Sequence, residues 1–165
     1  MNYLKISLGI FIALAASRFI PHPPNFTSLL ALSFYVPAFF GRKYIPALIL
    51  SFAITDIFLG FHNTLIFTWG SVFVIGFISN LFKISLIKRI IGVVIGVLLF
   101  YLITNFGVWI SGDMYEKNLN GLLLSYNLAV PFLLNSLVST LIFSMVIEGL
   151  LKIYGTKKIK INFFK

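Results

Sequence analysis

The chain has 165 residues, 59% of them hydrophobic and only 10% charged, with a formal net charge of +9 and no cysteine. Soluble domains carry about 25% charged residues, so a water-facing globular surface is excluded, as are disulfides, thiolate metal sites and cysteine nucleophiles. In so apolar a chain the surplus of lysine and arginine speaks to orientation in a membrane and not to nucleic acid.

Apolar runs of about 18 residues mark membrane helices, because backbone polar groups in lipid must pair within the segment or around a closed barrel. The runs here lack the period-2 alternation of barrel strands, which predicts an all-α, polytopic integral membrane protein. Six spans are expected, at about residues 4–20, 27–41, 44–61, 64–82, 90–111 and 132–151. The opening "MNYLKISLGIFIALAAS" also has the lysine, apolar core and small residues of a cleavable signal peptide. Cleavage would leave five spans. Retention is the reading adopted, since Arg18 directly after the cleavage position is unusual.

The second segment is short for a bilayer core of about 30 Å, and Pro37 interrupts it, so it is expected to be tilted, kinked or covered by neighbours. Residues 119–131, "LNGLLLSYNLAVP", read as an interfacial or re-entrant helix ending near Pro131. Residues 152–165 form a basic tail. No repeat or linker interrupts the chain, so residues 1–165 are read as one transmembrane domain.

The charges then sort by side. Lys5, Arg42, Lys43, Lys83, Lys88, Arg89, Lys152, Lys157, Lys158, Lys160 and Lys165 fall on one side, leaving only Arg18 and Lys117 of the 13 basic residues on the other. The positive-inside rule makes the crowded side cytoplasmic. Both termini are then expected inside, in a multi-pass protein of a bacterial inner membrane.

The chemically equipped loops gather on the opposite, outer side. "SRFIPHPPNF" at residues 17–26 carries Arg18, His22 and Asn25; "DIFLGFHN" carries Asp56, His62 and Asn63; "TNFGVWISGDMYEKN" carries Asn105, Trp109 and Asp113. A carboxylate near the end of a span is costly unless it faces a polar cavity or a partner. Asp56 is therefore read either as a ligand-binding group or as half of a clasp with Arg18. Asp56, His62, His22 and Asp113 offer metal-binding side chains but no recognised metal spacing, and no nucleophile elbow or HExxH pattern is present. Neither a metal nor catalysis is expected, and no cofactor. In the first span Gly9, Ala13 and Ser17 recur at four-residue spacing, a small-residue stripe that lets another helix approach closely. That helix is one of the protein's own bundle or one of a partner subunit.

"RFIPHPPNFTSLLALSFY", "DIFLGFH", "TNFGVWISGDMY" and "GLLLSYNLAVPFLLNSL", spread from Arg18 to Leu137, resemble an uncharacterised bacterial family of membrane transport proteins. That family is similar to the substrate-binding S components of energy-coupling factor (ECF) transporters. The resemblance implies a six-helix bundle that captures a vitamin, a precursor or a metal ion from outside. It also implies partnership with a transmembrane coupling subunit and two cytoplasmic ATPases. No phosphate-binding glycine loop is present in the chain, so ATP use would belong to the partners. By the same resemblance the first span's stripe contacts the coupling subunit, although only Ala13 keeps the expected residue type. The first outer loop, with Phe19, His22 and Asn25, closes over the ligand.

The expected function is thus a substrate-binding subunit of an uptake transporter for a small molecule. Its cavity is expected to be lined by Arg18, His22, Asn25, Asp56, His62, Asn105, Trp109 and Asp113 among apolar walls. The alternatives are a non-transporting membrane scaffold, a metal-ion transporter and a membrane-embedded enzyme.

Overall fold

A computed structural model describes residues 3–155, the side chains as far as Ile153. Of the expected basic tail, residues 156–165 lie outside the described residues. Among the described residues there are seven α-helices and no strand: α1 (Tyr3–Phe19), α2 (Leu29–Phe40), α3 (Ile45–Leu59), α4 (Leu65–Ile78), α5 (Leu86–Ser111), α6 (Leu119–Leu128) and α7 (Val130–Gly155). Single 3-10 turns, Arg42–Tyr44 and Ser79–Leu81, follow α2 and α4.

Local chemistry explains where the helices stop. Gly41 and Gly60, with φ of 99° and 102°, end α2 and α3 in a conformation that a side chain would resist. Pro46 sits in the first turn of α3, where a missing N–H costs nothing. Ser85 caps α5 by accepting from Lys88 N at 3.3 Å, and Asn118 caps α6 by accepting from Gly121 N at 2.8 Å. Pro131 lies in the first turn of α7 and does not terminate the preceding helix, which corrects the expected 119–131 segment: α6 ends at Leu128.

Three of the six expected spans are shorter as helices, those of α2, α3 and α4, while α5 and α7 are longer than expected. At about 1.5 Å per residue, the 12 residues of α2 rise about 18 Å, and α3 and α4 have only 15 and 14 residues. Among the described residues two helices are long and apolar enough to cross a membrane, Leu86–Ser111 and Val130–Ile153, where six spans were expected.

The short α2 is the centre of the bundle. It packs against α4, α7, α5 and α3, and Leu29 to Ala38 are buried apart from Leu32. A helix apolar all round belongs inside. Phe34 lies at the heart of the core with Leu14, Leu48, Val72, Ile75, Val93 and Val97. α1 leans on α3, α4 on α5, α6 on α5, and α7 on α5 and α2. Close approach is helped by hydroxyls that fold back on their own helix, as Ser33 donates to Leu29 O and Ser51 to Ala47 O, both at 2.7 Å.

The bundle has two chemically different ends. At one, Tyr3 donates to Lys43 O, Arg42 donates to Phe77 O, and Arg89 donates to Lys83 O. Arg89 also grips Glu148 through Nε–Oε1 at 2.5 Å and Nη2–Oε2 at 2.8 Å, while the Tyr35 hydroxyl donates to Oε1 at 2.9 Å. This cluster bolts α2, α5 and α7 together. The other end carries Arg18, the loop after α1, and the segment between α5 and α6.

Candidate functional site

The loop between α1 and α2 is pinned on both flanks. Ser28 N donates to Ser17 Oγ at 3.1 Å, and the two hydroxyls lie 2.8 Å apart, which closes its base. From across the bundle Asn135 of α7 donates to Pro24 O at 3.0 Å and Ser139 to Asn25 O at 3.4 Å. Asn25 has φ of 62°, a left-handed conformation that asparagine tolerates better than other side chains. His22 Nδ1 donates to Pro23 O at 2.7 Å, which requires its proton on that nitrogen.

Arg18, in the last turn of α1, reaches into α3. Its Nη1 meets Asp56 Oδ1 at 2.7 Å and donates to Phe52 O at 3.3 Å and to Thr55 Oγ1. The guanidinium also stands 4.5 Å from the centroid of the Phe52 ring. The second carboxylate oxygen, Oδ2, accepts from the Trp69 indole of α4 at 2.9 Å. Asp56 is 1% exposed, so both its oxygens are satisfied inside protein. A buried carboxylate held this way is stable only while both partners stay.

Two cavities open at this end. The larger, about 470 Å³, is walled on α5 by Phe100, Tyr101, Thr104, Asn105 and Val108, on α6 by Ser125 and Leu128, and on α7 by Phe132, Leu133 and Ser136. The smaller, about 310 Å³, is walled by Arg18, His22, Leu29, Leu30, Phe52 and Leu59, among others. Asn25, His62, Thr68, Phe100 and Ser136 line both, so the two chambers adjoin across shared walls. Each lies within the roughly 300–1,000 Å³ usual for small-molecule sites.

Of the eight expected lining residues, Arg18, His22, Asn25, His62 and Asn105 line this space. Asp56 does not; it stands behind Arg18 and holds it. Trp109 does not: its indole donates to Glu116 O at 2.9 Å and its ring leans on Phe106. Asp113 is exposed in the segment after α5 and lines neither chamber. Lys117 donates to the carbonyls of Trp109 and Gly112, closing the C-terminal end of α5. Among the described residues no three His, Asp or Glu side chains gather where an ion could be shared. Phe19 is exposed and packs edge-on to Phe58 away from both chambers.

The small-residue stripe on α1 divides. Ser17 turns into the bundle toward Ser28, but Gly9 and Ala13 are exposed, and a Cβ on Gly9 would meet nothing within 4 Å. No helix among the described residues covers that part of the stripe.

Apart from Asn105, the α5 wall went unread in the sequence. Tyr101, Thr104, Asn105 and Val108 recur at the i, i+3, i+4, i+7 spacing of one helix face, a signal present in the sequence. Tyr101 donates to Tyr126 O at 2.6 Å and Tyr126 to Leu102 O at 2.9 Å, which fixes α6 against that wall. Ser125 and Ser136 carry no comparable signal, because single serines are common in packed apolar helices.

A protein family of unknown function, DUF6580, matches residues 2–161 of the chain. No curated protein and no solved structure matches it.

Proposed function

The chain belongs to that family, DUF6580, and we propose that it is a membrane subunit that captures a small molecule in the two-chambered space beside Arg18, for uptake across a bacterial inner membrane. One observation carries the reading: the polar side chains of three separate loops and of α5 converge on two adjoining chambers, each of small-molecule size. A scaffold would have no use for such chambers.

The membrane setting is supported by the outer surface of the bundle. Leu50, Ile57, Ile66, Phe73, Leu98, Leu102, Leu134 and Val146 are all exposed, and apolar cover this extensive needs lipid or protein against it. In the proposed arrangement α5 and α7 span the bilayer, α1, α3 and α4 cross it with their flanking residues, and α2, shielded inside, makes the sixth crossing. The basic end faces the cytoplasm with both termini, and the Arg18 end faces outward. The uncovered Gly9 and Ala13 face suits a partner helix, in keeping with a separate coupling subunit and ATPases.

The test is native mass spectrometry of the full chain purified in lipid nanodiscs, with small molecules released by denaturation identified separately. One bound small molecule per chain is expected. A chain that carries none, and that no member of a broad panel of vitamins, precursors and metal ions stabilises against heat, would sink the reading.

A further inference from the structure

Taking capture in this space as its premise, we infer that the ligand carries a carboxylate or similar oxyanion, held by the free edge of the Arg18 guanidinium in the smaller chamber, with an apolar or aromatic body in the larger one. The hydrogen bonds of Arg18 all leave from Nη1. Its Nε–H and the two Nη2 protons are therefore uncommitted among the described residues, on a side chain that lines the chamber. That edge is the planar fork that matches a carboxylate with two parallel bonds.

No carboxylate side chain lines either chamber, and the nearest, Asp56, is turned away and satisfied by Arg18 and Trp69. A cation entering would meet donors and no counter-charge. Asp56 also fixes the guanidinium in place, so little side-chain freedom is lost on binding. The larger chamber supplies the complementary surface: Phe100, Tyr101 and Phe132 offer ring faces and edges, while Thr104 spends its hydroxyl proton on Phe100 O and Asn105 one of its two amide protons on Tyr101 O. Of the two chambers only the smaller is lined by a guanidinium, so charge recognition is concentrated at the Arg18 end.

Three probes of one shape decide the matter: 3-phenylpropionate, 3-phenylpropanamide and 3-phenylpropylamine, titrated onto the full chain in phosphatidylcholine nanodiscs. Trp69 bonds directly to Asp56, so in a Trp109→Phe background the single remaining tryptophan reports on the Arg18 cluster. The carboxylate is expected to bind at least about tenfold more tightly than the amide, and the amine more weakly still. The double variant Arg18→Gln, Asp56→Asn keeps the pair neutral and should bring the carboxylate down to the amide. Arg18→Lys keeps the charge but loses the fork, and should cut the preference several-fold. Amide or amine binding as tight as carboxylate, or an undiminished preference in Arg18→Lys, overturns the oxyanion assignment and leaves capture standing. Failure of all three probes to bind at about 10 mM overturns the oxyanion assignment, while capture falls only if the purified chain carries no small molecule and no member of the broad panel stabilises it.

Discussion

Arg89 and Glu148 are joined by two parallel bonds, Nε to Oε1 at 2.5 Å and Nη2 to Oε2 at 2.8 Å, between the first turn of α5 and the later part of α7. A cation in a first turn opposes the helix dipole, so α5 gains nothing locally from this arginine. Its benefit is tertiary: the pair ties the two longest helices, and Tyr35 adds α2 through Oε1 at 2.9 Å. Removing one partner strands the other in a mostly protein-filled setting, at about 3 kcal/mol. Glu148→Ala is expected to lower the melting temperature by roughly 5–10 °C, and Tyr35→Phe to cost only about 1 kcal/mol. Thermal unfolding in nanodiscs checks both. Equal losses for the two variants would mean that the ion pair contributes no more than one neutral hydrogen bond.

Gly92 and Gly9 should respond oppositely to the same substitution. A Cβ on Gly92 would stand 2.6 Å from both the fully buried Phe34 ring and Phe82 Cβ, whereas one on Gly9 would meet nothing. Gly92→Ala therefore forces the core to shift, at about 1–3 kcal/mol. Gly9→Ala gains helix propensity, up to about 1 kcal/mol. Melting of the isolated protein should fall for the first and hold or rise for the second. A fall for Gly9→Ala would place it against a packed surface, contrary to its exposure.

The order of the helices was legible because Gly41, Pro46, Gly60 and the proline-rich loop at residues 21–24 punctuate long apolar runs. Helix length was not. The apolar runs at 27–41 and 44–61 include flanking residues that cap or precede the helices, so they looked longer than α2 and α3 are. Arg18 and Asp56 could be paired from the sequence as lone charges in apolar surroundings. Arg89 and Glu148, 59 residues apart, could not, because Arg89 is one of many basic residues on its side of the expected topology. Trp109 lies on the same helix as Asn105, one turn on, and only side-chain direction separates the two, while Asp113 lies beyond the end of α5.

Asp56 is expected to matter through Arg18. Asp56→Ala leaves the guanidinium without its counter-charge and Trp69 without its acceptor, a loss of about 3–5 kcal/mol. Replacing both partners, as Arg18→Met with Asp56→Leu, removes the burden of unpaired charge and should restore most of that stability. Ligand capture should be lost in the double variant although the fold is regained. Recovery of binding along with stability would move Arg18 out of the site.

Filling the larger chamber should block capture without touching the cluster at Arg18. Thr104 lines that chamber, is half-buried, and bonds only to Phe100 O of its own helix at 2.8 Å. Thr104→Phe places a ring where the ligand body is expected, at the cost of one local hydrogen bond of about 1 kcal/mol. Thr104→Ala loses the same bond but leaves the chamber open, so the pair separates volume from hydrogen bonding. Binding of whichever molecule leaves the wild-type protein on denaturation should weaken at least about tenfold in Thr104→Phe and change little in Thr104→Ala, with similar melting temperatures. Undiminished binding in Thr104→Phe would put the ligand elsewhere, since a phenylalanine side chain and a ligand body cannot share that space.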